Sequence, residues 1–365
     1  MDAPDAIVIG GGVAGISAAA EMAADFRVVV LEAEGAIGTH STGRSAAIFI
    51  RNYGNETLRA LNAMAEPLFI EPDGVAESSL LSPRGQMLIA AEDEVGELDA
   101  YAAGAEGLDW LSPAEAVELV PILRPERIAA AAIERDARDI DVDRMLQGYA
   151  KLLRRRGGRI ATGARAGAIR RADGVWEVRT ETETFRAPIL VNAAGAWADG
   201  VAAMAGARPL GVTPMRRSAA IIPAPDGADI WNWPLFGTAA ETWYAKPEAG
   251  KLMVSPADED PVEAQDAWPD DLVLAEGLHR YEQAVTAPVT RVERSWAGLR
   301  SFTRDRTPAV GFAPDTPGFF WLAGQGGYGV QTAPALARLT AALLKRESTP
   351  EPLRRALAPD RLLTA

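Results

Sequence analysis

Residues 6–9 (AIVI) and 28–31 (VVVL) are unbroken aliphatic runs, separated by GGGVAGISAAAEMAAD, which is rich first in glycine and then in alanine. Short continuous apolar runs suit strands covered on both faces, and alanine-rich stretches favour helix. The chain therefore opens as strand, glycine turn, helix over 13–25, and strand. Ser112-Pro113-Ala114-Glu115 reads as a helix start, with a capping box and proline at the first helical position. Residues 142–156 form an amphipathic helix closed by Gly157-Gly158. RIATGARAGAIRR and VWEVRTE flank Ala172-Asp173-Gly174, the signature of a hairpin. APILVNAAG is a strand leading into a helix in WADGVAAMAG.

From 210 to 292 the pattern changes to extended segments rich in Trp, Tyr and Pro, followed by a helix near 272–287. This reads as a second, mostly antiparallel unit inserted into the first. The last stretch, FFWLAGQGGYGVQTAPALARLTAALLK, repeats the opening grammar of strand, glycine turn and helix. The fold class expected is α/β, a Rossmann-type dinucleotide domain with an inserted, mostly antiparallel α+β substrate domain.

Composition narrows the chemistry. The 365 residues carry a net charge of −13, which disfavours nucleic acid as a partner. There is no cysteine, and the two histidines, His40 and His279, make a histidine-rich metal site an unlikely design, so no metal is expected. No apolar run reaches membrane-spanning length, and a strand starts too early for a signal peptide to precede it, so a cytoplasmic location is expected.

Gly10-x-Gly12-x-x-Gly15 falls between the first strand and the first helix, where a pyrophosphate rests on the helix N-terminus. Glu32 ends the second strand, in position for a ribose hydroxyl. The second strand then runs into GTHSTGRSAA rather than another βα repeat, and Gly326-Gly327-Tyr328-Gly329 opens a second helix near the C-terminus. That helix dipole suits the anionic pyrimidine edge of a reduced flavin, which favours FAD over NAD.

The motifs GGGVAG with Glu32, HSTGRSAA, LLSPR, VNAAGAW, RPLGV with RRSA, SPAD followed by DPVEA, WAGLRSF and QGGYGVQT span nearly the whole chain. Together they resemble the FAD-dependent amine and amino-acid oxidoreductases of the D-amino-acid oxidase superfamily, and within it most closely the bacterial D-arginine dehydrogenases. The resemblance implies noncovalent FAD held in a discontinuous domain (1–79, 141–206 and 297–365), with a substrate domain from 80–140 and 207–296. It implies cofactor contacts from Gly10, Gly12, Val13, Ala14, Gly15, Glu32 and Ala33 around the first turn. Ser41, Thr42, Arg44, Ser45, Ala46 and Ala47 would lie beside the ring, with His40 in a structural rather than basic role. Further contacts are implied at Ala166, Ala194, Gly195, Trp197, Gly298 and Arg300, then Gly326, Gly327, Tyr328, Gly329, Val330 and Gln331.

For the substrate, Arg300 and Arg217 match carboxylate-binding arginines, Tyr53 and Tyr244 match bracketing tyrosines, and Gly327 matches a carbonyl contact to the amine. Arg216 is expected to point away from Arg217, since strand neighbours alternate faces. The chemistry implied is oxidative deamination of a D-amino acid by hydride transfer from Cα to flavin N5. Gln86 stands where the look-alike enzymes carry a glutamate facing the guanidinium, and Ile48 where they carry a histidine. With Leu235 and Gly237 these imply a pocket for neutral, apolar or aromatic side chains. Alternatives within the fold are glycine, sarcosine or another secondary amine, and a 2-hydroxy acid; outside it, a non-catalytic flavin-binding subunit or an NAD-dependent dehydrogenase. The resemblance favours a dehydrogenase over an oxidase and leaves the acceptor open among quinone, dye and oxygen. It also suggests a lid over 45–56.

Overall fold

The computed structural model describes residues 3–363. Its first sheet has six strands, in the order Ala309–Phe312, Phe319–Ala323, Ile189–Asn192, Ala6–Ile9, Val28–Leu31, Arg159–Ala161. All neighbours are parallel except the first pair. The two opening strands are buried along their whole length, as their unbroken apolar runs require. Helices Val13–Met22 and Gly329–Leu344 pack together in one core with helix Val142–Arg155 and the Val8, Val30 and Val191 face of the sheet. The opposite face packs on the three-stranded Ala168–Ala172, Val175–Arg179 and Thr184–Ala187 sheet, through Trp176 and Phe185, and on helix Ala198–Met204.

A second, nine-stranded sheet is antiparallel apart from one pairing, Leu235–Thr238 against Gln86–Ala90. Its apolar side closes over a separate core in which Trp233, Phe236, Trp243 and Tyr281 meet edge to face. Helix Asp271–Ala284 covers that core, capped by Asp270, whose carboxylate accepts the Leu272 and Val273 N–H groups. It ends three residues earlier than the sequence pattern suggests, because Val285 turns extended before the Thr286–Pro288 stretch. The capping box at Ser112 and Glu115 and the Asp173-Gly174 hairpin form as their residues require.

The longest pairing in the molecule joins Thr213–Ile222 to Arg294–Phe302. It runs beside the Ser41–Arg44 turn and the Gly326–Tyr328 turn, and so brings the second sheet up to the nucleotide end of the first.

Candidate functional site

The main cavity encloses about 520 Å³, well within the range of small-molecule clefts, and lies where these two sheets meet. At its floor is the first glycine turn. Gly10 adopts φ +112°, and a Cβ there would stand 2.3 Å from the Ala193 carbonyl oxygen, so only glycine lets the two strands end this close. Gly15 does not face the cavity: a Cβ would fall 2.0 Å from the Gly10 carbonyl oxygen, making it the contact that seats helix on strand. Gly12, Val13 and Ala14 do line the cavity.

Glu32 accepts the Gly11 N–H at 2.6 Å and the Glu34 N–H at 2.8 Å, which fixes its carboxylate at the end of the second strand. Thr42 reaches over the helix start and accepts the Val13 N–H at 3.0 Å, leaving its own hydroxyl proton for a neighbour. The helix beginning at Val13 and the one beginning at Gly329 both start without a side-chain cap. Gly10, Gly12, Val13 and Ala14 at one end, and Gly326, Gly327, Gly329, Val330 and Gln331 at the other, bound the same cavity. Two helix N-termini aimed at one space, with neither N-cap residue answering their N–H groups and Thr42 taking only that of Val13, fit a diphosphate and an anionic ring edge.

The polar stretch after the second strand is a wall made of backbone contacts. Ser41 donates to the Leu299 carbonyl at 2.6 Å, and Ser45 accepts the Ala47 N–H at 3.0 Å, holding Ala47 at φ 57°. Arg44 donates to the Ala267 and Ala297 carbonyls at 3.0 and 2.9 Å and pairs with Asp266. Arg44 thus fastens the turn to the second sheet. His40 lies 3.3 Å from Glu34 and 4.8 Å, centroid to centroid, from Trp197. Ala33, Ala46, Ala166, Ala194, Gly195, Trp197 and Gly298 complete the walls, whereas Tyr328 stands behind them.

Arg217 and Arg300 meet through sheet register. Arg300 pairs with Met215 and Gly298 with Arg217. Side chains two apart share a face, so the two guanidinium groups are diagonal neighbours on the cavity side. Arg216 faces the other way and bonds Asp260 at 2.8 Å, near Asp258 and Asp270. Nη1 of Arg300 and Nε of Arg217 are buried, with no hydrogen-bond partner among the described residues. Burial opposes the charge on Arg300, but the surrounding groups, the carboxylates of Glu241 and Glu259 among them, outweigh it and raise its pKa, so it stays a cation. Burial pushes the Tyr53 phenol up, against the pull of Arg300, so it stays neutral.

Tyr53, Tyr244 and Ile48 line the cavity beside these arginines. Gln86, Leu235 and Gly237 do not. Gln86 is buried and accepts the Tyr101 hydroxyl at 3.1 Å, Leu235 packs inward, and Gly237 is covered by Trp243 and Tyr244, where a Cβ would lie 2.6 Å from the Trp243 carbonyl oxygen. Met253 takes a place on the wall that sequence reasoning passed over. Also missed was Glu259, which accepts Nη2 of Arg217 at 3.1 Å and Nη2 of Arg306 at 3.0 Å.

Residues 50–53, within the suggested lid, are held by a buried polar network. Asn62 donates to the carbonyls of Ile50, Arg51 and Tyr53, Gln331 accepts the Ile50 N–H, and Glu134 accepts the Arg51 N–H and the Asn52 amide.

A family model described as FAD dependent oxidoreductase (DAO) matches residues 5–343. The chain belongs to that family. FAD is therefore its cofactor, and the glycine turns, uncapped helices and Glu32 are the groups that fit it. As a DAO-family oxidoreductase it is similar to glycine oxidase of Geobacillus kaustophilus (strain HTA426), with 24% identity over 368 residues and 94% of each chain covered. Its fold matches L-proline dehydrogenase from P. horikoshii, with a TM-score of 0.85 at 22% identity over 99% of this chain and 98% of the other. It also matches L-α-glycerophosphate oxidase from Mycoplasma pneumoniae, solved with FAD bound, with a TM-score of 0.86 at 19% identity over 94% and 95% of the chains. No helix among the described residues is long and apolar enough to cross a membrane, and no group of metal-ligating side chains occurs among them.

Proposed function

We propose that this oxidoreductase deaminates a D-amino acid with a neutral, apolar or aromatic side chain, giving a 2-oxo acid and ammonia. One observation carries the reading: Nη1 of Arg300 and Nε of Arg217 are buried without a hydrogen-bond partner among the described residues, on the wall of the cavity that also receives both helix N-termini. A buried cation with free donors asks for an anion, and the planar carboxylate of an amino acid matches the guanidinium fork.

Held by the two glycine turns and Glu32, FAD would supply a two-electron acceptor for the hydride leaving Cα. Arg217 and Arg300 fix the carboxylate, and so set which substituent of Cα faces the ring; such orientation accounts for much of the rate. Tyr53 and Tyr244 border the substrate space as neutral walls, and the Gly327 carbonyl is the acceptor for the substrate amine. The amine enters unprotonated, having given its proton to water before binding, and His40 on the cavity wall lies against Glu34 at 3.3 Å. The imino acid leaves and takes up water to give the 2-oxo acid and ammonia. Preference for an uncharged side chain rests on Ile48 and Met253, the apolar residues next to this space. Noncovalent attachment of FAD is supported by the absence of cysteine from the sequence.

A second reading has support from the relatives: the names glycine oxidase and L-proline dehydrogenase point to glycine or a secondary amine as substrate. Anaerobic bleaching of the flavin across D- and L-amino acids, glycine, sarcosine and proline separates the two. Fastest reduction by D-alanine or D-phenylalanine supports the first reading. Fastest reduction by sarcosine or proline replaces it with the second, and D-arginine as the best substrate refutes the neutral pocket.

A further inference from the structure

Arg217 is not free on all sides. Its Nη2 donates to Oε1 of Glu259 at 3.1 Å while its buried Nε has no partner among the described residues, so one donor is answered from within the protein and one is open to a ligand. Glu259 is itself anchored from outside: Nη2 of Arg306 lies 3.0 Å from both of its oxygens. The Arg306 guanidinium sits 3.9 Å above the Phe302 ring, which meets Tyr328 edge on, and Tyr328 in turn meets Tyr53 at 4.8 Å. To swing away from Arg217, Glu259 must break its pair with a cation that is stacked in place. Glu259 is not itself one of the cavity-lining residues, but its carboxylate is held in place on Arg217, which is.

We propose that Glu259 sets the charge of the accepted substrate, holding on Arg217 the place that a second substrate carboxylate would take and so excluding dicarboxylic amino acids. The inference rests on the reading that Arg217 and Arg300 bind an amino acid's carboxylate. A monocarboxylic substrate uses the open donors of Arg300 and Arg217. A dicarboxylic one must set its second anion against Glu259, in partly buried surroundings where like charges are poorly screened. Specificity here comes from a built-in repulsion as much as from attraction.

The test compares the holoenzyme with Glu259→Gln, which keeps the shape and one acceptor oxygen for Arg217 but removes the charge. Propionate and succinate serve as non-oxidisable probes, read by calorimetry and by their shift of Tm. D-alanine and D-aspartate serve as the matching substrates. In the wild type, propionate binds and succinate binds far more weakly. Glu259→Gln raises the succinate-to-propionate affinity ratio at least about tenfold, and the D-aspartate-to-D-alanine ratio of kcat/KM moves with it. Glu241→Gln is the control, since Glu241 acts on Arg300 only through its field and makes no ion pair among the described residues; it changes the ratio much less. An unchanged ratio in Glu259→Gln, or an equal change in Glu241→Gln, overturns the proposal while leaving the carboxylate clamp standing. If neither probe binds to any of the three proteins, the clamp itself is refuted and the proposal falls with it.

Discussion

The guanidinium of Arg300 lies against the backbone of Gly327: a Cβ on that glycine would stand 3.1 Å from Nη1 and 3.2 Å from Cζ. On the proposed function, the residue whose carbonyl would take the substrate amine is also the floor on which the guanidinium proposed to bind the carboxylate rests. Gly327→Ala pushes the guanidinium aside without touching the first glycine turn. We expect kcat/KM for the best amino acid to fall about tenfold, through kcat and KM together, because the arginine is proposed both to bind the carboxylate and to orient Cα. Steady-state kinetics and FAD content per chain check this; an unchanged kcat/KM shows that Arg300 does not grip the substrate.

Arg300→Lys separates charge from shape. A lysine keeps the cation but loses the planar fork, and its shorter reach leaves the space beside Gly327 unfilled. The expected outcome is a fall in kcat/KM of about 100-fold, within the range for losing a buried, charge-assisted contact, with FAD still bound. Retention of activity within threefold of wild type, roughly the scatter of a neutral surface change, removes the arginine from the substrate site.

The parts of the site that could be read from the sequence are those governed by local rules. The strand, glycine turn and helix of the first 31 residues follow from aliphatic runs and from glycines that no other residue can replace at Gly10 and Gly15. The opposite orientations of Arg216 and Arg217 follow from the two-residue period of a strand. The parts that were hidden depend on the far side of the sheet. Gln86 stays out of the cavity because Tyr101 meets it across the core, and Gly237 because Tyr244 on the neighbouring strand lies over it. No periodicity marks Glu259, which finds Arg217, or Arg306, which finds Glu259, each across more than 40 residues of sequence. Their only signal is charge in two loops, and the sequence holds many charged loops.

Glu32 has a structural task beside the ribose contact expected of it. Glu32→Ala strips the acceptor from the Gly11 and Glu34 N–H groups, and Gly11 sits inside the pyrophosphate turn. Leaving a buried donor unpaired costs about 1–3 kcal/mol. We expect the purified variant to carry well under half the FAD of the wild type and to melt at a lower temperature even when FAD is stripped from both proteins. Full FAD content with an unchanged apo-protein Tm shows the carboxylate to be dispensable for the turn.

The turn that carries Arg306 is pinned by Asp305, and this gives the fold a pH signature. Asp305 accepts the Thr303 hydroxyl at 2.9 Å, the Thr307 N–H at 3.1 Å and Nε of Arg361 at 2.8 Å. Burial acts to raise its pKa, but the bonds from Arg361 and Thr303 outweigh it and hold the carboxyl below its ordinary value of 3.8. A carboxyl lowered in this way binds a proton more readily in the unfolded chain than in the folded one. Its contribution to stability is complete above the unfolded value and is lost as the pH falls through the lower, folded one. Asp305→Asn should therefore melt below the wild type at about pH 7, and the gap should close as the pH is taken down past 3.8. Melting curves of the two proteins across that interval decide it: a gap that widens toward acid reverses the sign and shows that Asp305 is held protonated in the folded chain.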